Sequence, residues 1–107
     1  MQTTFQFRGG NCLISVSGRI TIDSSPDLRV LLLRPLEAMD CKSLTVDLYD
    51  VAYVDTSALA VLLEVLREAS LSKKVFHLTG LRGRPRFLLE ATRLLNLFNE
   101  VARDAPQ

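Results

Sequence analysis

Two periodicities alternate along the chain, and the switches between them lay out its elements. Phe5 and Phe7 fall on one side of an extended segment over residues 3–8, with Gln6 and Arg8 on the other. After Gly9-Gly10-Asn11, a hairpin turn signal, Cys12, Ile14 and Val16 alternate with Leu13, Ser15 and Ser17. That pattern predicts an antiparallel opening pair, with Gly18 ending the second strand. Ser25-Pro26 then offers a cap and a first-turn proline, and Leu28, Leu32, Leu36 and Met39 recur at helical spacing. Pro35 has no backbone N–H to donate, so it should bend this helix or split it in two.

Further on, Leu44, Val46 and Leu48 mark a third strand. Leu59, Leu62, Leu63 and Leu66 mark a second helix whose Glu64, Arg67 and Glu68 face water. The apolar run 74–79 before Gly80 is too short for a helix and reads as a fourth strand. Arg84-Pro85 opens a third helix carrying Phe87, Ala91, Leu94 and Leu95 on one face, and the tail from Leu97 fits either a helical turn or a short edge strand. The predicted order is β-β-α-β-α-β-α. It is an α/β fold with a small mixed sheet of about four or five strands and about three or four helices packed against it.

Composition narrows the function more than the fold. With 107 residues, 48% of them hydrophobic, the chain makes one compact domain over residues 1–107. Its 13 basic and 12 acidic residues leave a net charge of +1, so no global field points to nucleic acid, a membrane surface or an acidic substrate. The opening MQTTFQFRGG lacks the apolar run of a signal peptide, and a cytoplasmic location is expected. Cys12 and Cys41 have neither metal-ligand nor redox-motif spacing and read as small buried fillers; no metal or cofactor is implied.

One junction stands out. In VAYVDTSALAVLL, residues 51 to 63, three small polar side chains, Asp55, Thr56 and Ser57, sit between a strand and a helix. A cap satisfies one unpaired N–H at a helix start for about 1 kcal/mol, which accounts for one residue of the three. The remaining hydroxyl lies at the positive end of a helix dipole beside a carboxylate. A phosphate on Thr56 would find backbone N–H donors nearby and add up to about two negative charges next to Asp55, enough to switch off an interface.

YDVAYVDTSALAVLLE resembles the signature of the STAS domain, the domain of anti-sigma factor antagonists, in which an Asp-Ser/Thr-Ser-Gly-Leu motif opens the second helix. The SGRI turn, the PDLRVLL helix, VDLYDV ahead of the motif and EATRLLNLF near the end extend the resemblance over nearly the whole chain. It implies a STAS-like topology and a protein-binding module that catalyses nothing. It also implies Thr56 as phosphoacceptor, with Ser57 second choice, and a partner-binding surface of Asp55, Thr56, Ser57, Ala58, Asp23 and Ser24. The implied partner is an anti-sigma factor with serine/threonine kinase activity, bound by the unphosphorylated domain so that the sigma factor is released. The family also contains STAS subunits of other complexes, such as the small partner of a lipid-transport ABC ATPase.

Departures from the family pattern carry expectations of their own. Ala58 and Ala60 stand where glycines are usual, crowding the helix start, and the Gly-Glu-Leu-Asp turn reads Gly18-Arg19-Ile20-Thr21. Thr92-Arg93-Leu94 lacks the family's glycine stop and leaves Asn96 as the residue to end the third helix. Six basic residues, Lys73, Lys74, Arg82, Arg84, Arg86 and Arg93, lie close together in the sequence and read as a solvated face before a partner contact or a nucleic-acid patch. A Ser57-based hydrolase using Asp55 and the lone His77 is the remaining class; no nucleophile-elbow motif supports it.

Overall fold

In the computed structural model, residues 1–103 are described; positions 104–107, the end of the tail, lie outside the described residues. Strands β1 (Gln2–Arg8) and β2 (Asn11–Ile20) form the antiparallel opening pair, and β2 (Asn11–Ile20), β3 (Ser43–Val54), β4 (Val75–Thr79) and β5 (Asn99–Glu100) run parallel to one another in the order β1-β2-β3-β4-β5. Helices α1 (Ser25–Leu33), α2 (Thr56–Leu71) and α3 (Gly83–Ala91) make the crossovers. Each crossover steps one strand in the same direction, so the usual right-handed connection puts all three helices on one face of the sheet. Ile20, Leu28, Leu48, Val54, Leu62 and Leu89 meet there, drawing strands and helices into a single core.

The alternation expected in β2 and β3 is what the fold buries: Cys12, Ile14 and Val16 are 2% exposed, and Leu44, Val46 and Leu48 no more than 1%. Both cysteines are buried, and burial pushes the Cys12 thiol up to about 12. Gly18 does not end β2. It sits inside the strand at φ 91, where register shifts against β3 let the chain run on to Ile20.

Helix faces differ more from expectation. Pro35 does end α1, handing the chain to a 3-10 turn over Arg34–Glu37, and because that turn stops at Glu37, Met39 is 90% exposed while Leu28, Leu32 and Leu36 are buried. Ser25 is buried in the first turn instead of capping it, and Ser24 occupies the cap position without a side-chain cap bond. In α2 the buried residues are Ala58, Leu59, Val61, Leu62, Val65 and Ala69, with Leu63 and Leu66 at their margin. In α3 the buried pair is Pro85 and Leu89; Phe87 is 59% exposed and Ala91 is also exposed. Leu94 and Leu95 lie beyond the end of that helix.

Arg93, not Asn96, stops α3. It adopts φ 60, the left-handed conformation normally given to glycine, so that Leu94 N–H reaches Leu89 O at 2.9 Å and Arg93 N–H reaches Glu90 O at 3.0 Å. Lys73 ends α2 in the same way at φ 57, with Lys74 N–H on Ala69 O at 2.8 Å. Satisfying the last carbonyls of each helix offsets the roughly 1–2 kcal/mol that a side chain costs in this conformation. The tail takes both forms considered for it, a 3-10 turn at Leu95–Leu97 followed by β5.

Candidate functional site

The Asp55-Thr56-Ser57 triplet sits where β3 leaves the sheet and α2 begins. Asp55 is the cap: its Oδ1 accepts Ser57 N–H at 2.9 Å and the Ser57 hydroxyl, while its Oδ2 accepts Ile22 N–H at 2.9 Å. Its own N–H donates to Ile20 O at 3.2 Å. One carboxylate thus starts the helix and ties the 21–24 loop to it.

Those donors hold the Asp55 carboxyl below its ordinary range, the Ser57 hydroxyl most strongly, with the Ile22, Ser57 and Ala58 amides adding to it against some desolvation. Because folding lowers this pKa, its stabilisation is complete above the unfolded value and is lost as pH falls through the lower folded value. The difference in denaturation midpoint between wild type and Asp55→Asn should therefore be constant above about pH 5 and shrink below about pH 4. A difference that persists undiminished in acid would exclude a contribution from the charge.

Thr56 differs from both neighbours. It is exposed on the first turn of α2, and among the described residues no side-chain hydrogen bond engages its hydroxyl, whereas the Ser57 hydroxyl is committed to Asp55. Of the backbone donors in this turn, the amides of Ser57 and Ala58 are already taken by Asp55.

The other sequence-predicted positions divide. Asp23 and Ser24 belong to the loop tied to Asp55, with Asp23 exposed and the Ser24 hydroxyl accepting Thr21 N–H at 3.0 Å. Ala58, grouped with the contact residues on sequence grounds, is 1% exposed, and its methyl faces Ile20, Leu28 and Leu89. It supports the helix start from beneath and leaves the outer surface uncrowded. His77 lies in β4 opposite Thr45 and Asn99, alternating with the core residues Phe76 and Leu78 and so facing away from the helices. It is not brought to Ser57.

Two features had no signal strong enough to be read in advance. Ile22, 72% exposed, projects a large apolar side chain into solvent from the loop that Asp55 anchors through the Ile22 N–H. Nearby, Arg19 pairs with Tyr53 across β2 and β3 and lies 4.4 Å over its ring. Arg84 lies 5.5 Å from the same ring, and Arg82 and Arg103 lie 3.7 and 4.3 Å from the Tyr49 ring. The basic cluster accordingly does several jobs. Arg82 and Arg84 join a guanidinium–tyrosine platform, Arg86 pairs with Glu100, Lys74 caps the Leu36 and Ala38 carbonyls at 2.7 and 2.5 Å, and Lys73 and Arg93 are helix stops.

With this geometry the comparisons are decisive for the family. The model described as "Mlab, STAS domain" matches residues 3–99. The chain belongs to the STAS domain family. This is a family of non-enzymatic regulatory domains. No curated protein matches the chain in a sequence search. Among solved structures, this STAS domain is similar to an anti-sigma factor antagonist from Mycobacterium paratuberculosis, at 21% identity, TM-score 0.81 and coverage of 92% of this chain and 83% of that one. A putative anti-sigma factor antagonist from Thermotoga maritima gives 16% identity, TM-score 0.84 and coverage of 95% and 86%. The Bacillus cell fate determinant SpoIIAA in its phosphorylated form gives 11% identity, TM-score 0.73 and coverage of 94% and 91%. These likenesses establish the STAS fold over almost the whole chain. Among the described residues no helix is long and apolar enough to cross a membrane.

Proposed function

We propose that this STAS domain is an anti-sigma factor antagonist switched by phosphorylation of Thr56. The unphosphorylated domain binds a cytoplasmic anti-sigma factor that is itself a serine/threonine kinase, and so frees the sigma factor. Phosphate on Thr56 ends the complex. The observation that carries this reading is the inequality within the triplet: Asp55 and Ser57 are consumed by building the helix start, and Thr56 alone presents an uncommitted hydroxyl on its surface. Asp23, Ser24 and the exposed Ile22 extend that surface along the loop Asp55 holds in place.

Incubation with ATP and the kinases encoded beside its gene should add one phosphate, about 80 Da, mapped by mass spectrometry to Thr56 and absent from Thr56→Ala. Modification at Ser57 instead, or none with any such kinase, would remove the basis for the switch. The Mlab type of the matching family model favours a second reading, a STAS subunit docked through the same surface on a transport ATPase. Co-purification with an ATPase subunit regardless of the state of Thr56 would select it.

A further inference from the structure

The two edges of the sheet are not alike. At one side β5 is two residues long, and its Glu100 is held by Arg86, so it offers almost no backbone for pairing. At the other, β1 is seven residues long with no proline, no lysine and no bulge in its pairing with β2, and its single charge, Arg8, stands at the end next to the turn. Phe5 and Phe7 share the helix-side face with Ile14 and Cys12 yet remain 57% and 47% exposed, because the helices do not reach over β1. Between this strand and α1 runs an apolar groove of about 380 Å³ whose walls include Phe5, Ile14, Leu31, Pro35 and Ala38.

The backbone phase of this edge follows from the turn. Gly9 and Gly10, at φ 57 and 86, make a two-residue hairpin closed by the pair Arg8 and Asn11. The closing pair of such a hairpin exchanges both of its hydrogen bonds, and pairs alternate from there. Arg8, Gln6, Thr4 and Gln2 therefore direct their N–H and C=O groups at β2, and Phe7, Phe5 and Thr3 direct theirs outward.

We propose that β1 pairs antiparallel with β1 of a second copy of this chain, about a two-fold axis through Phe5, to make a continuous sheet across a homodimer. The strand is self-complementary in this register. Phe5 meets Phe5, and Thr3 meets Phe7, so every outward-facing residue meets another outward-facing residue and exchanges both hydrogen bonds. Arg8 falls opposite Gln2, and the two copies of Arg8 lie at opposite ends of the junction, so no like charges oppose one another along β1. The Phe5 side chains meet on the axis, and the two apolar grooves become one cleft across it. Thr56 lies beyond the end of β3, away from this edge, so the dimer is independent of the proposed switch.

Sedimentation velocity on the purified full chain at about 10 to 500 µM should show a species of twice the monomer mass at the upper end. The amides of Thr3, Phe5 and Phe7, but not that of Thr4, should gain hydrogen-exchange protection as concentration rises. Phe5→Pro deletes an outward N–H that β2 does not use and should give a folded monomer; Phe5→Arg, which puts two like charges on the axis, should do the same. A wild type that stays monomeric over the whole range overturns the proposal, and so does a dimer that survives both substitutions.

Discussion

Gly80→Ala is expected to cost the domain about 3 kcal/mol, a large share of the ~5–15 kcal/mol that holds a domain of this size together. Gly80 follows β4 at φ +71, and a methyl group there would lie 2.7 Å from Tyr49 N and 2.8 Å from Tyr49 Cβ and would collide with Asp47 Oδ1. Asp47 cannot step aside cheaply. It is 8% exposed, accepts Tyr49 N–H at 2.9 Å and pairs with Arg103 at 2.9 Å, so moving it breaks a buried charge-assisted set. Gly9 and Gly83 provide the internal control, since both have positive φ and neither has an atom within 4 Å of the added carbon. Alanine at either should cost only the conformational part, about 1 kcal/mol. Urea denaturation of the three variants separates the terms; equal losses at Gly80 and Gly83 would mean that crowding at Asp47 contributes nothing.

That contrast also marks what the sequence could reveal. The alternation of Cys12, Ile14 and Val16, or of Leu44, Val46 and Leu48, is a local record of a local geometry, and it predicted which residues are buried. Asp55, Thr56 and Ser57 were legible for the same reason, because a helix start needs its cap within a few residues. What stayed hidden depends on partners far along the chain. Nothing near Ile22 shows that its N–H will bind a carboxylate 33 residues away, or that the loop will turn its side chain to solvent. Arg82 and Arg84 looked like part of one basic run, yet the rings they cover are on β3. Met39 was misplaced because helical spacing was extended past the 3-10 turn that follows Leu33, and Phe87 because α3 turns its Pro85–Leu89 side to the core. Arg93 shows the limit of reading a helix stop by residue type. Two good hydrogen bonds to the end of α3 hold a non-glycine residue at positive φ, and so Asn96 had no helix left to end.

Thr56→Glu should weaken binding of the proposed anti-sigma partner by about 100-fold, roughly 2–3 kcal/mol, with Thr56→Val close to wild type. The contrast follows from how the helix start is wired. Asp55 already takes the Ser57 and Ala58 amides and the Ser57 hydroxyl, so a second negative group one residue later finds those three donors committed. It must either face the partner and lose its hydration on docking, or repel Asp55 and loosen the loop that carries Ile22, Asp23 and Ser24. Valine keeps the branched shape of threonine without charge and removes a hydroxyl that bonds nothing else in the fold's described residues, so a charge switch leaves its binding intact while making it permanently insensitive to the kinase. Isothermal titration with the partner, at two salt concentrations, reads both effects. Should Thr56→Val lose as much affinity as Thr56→Glu, the hydroxyl is a docking contact in its own right, which is the outcome a constitutive STAS subunit would give. Should neither lose affinity, the partner does not meet the start of α2.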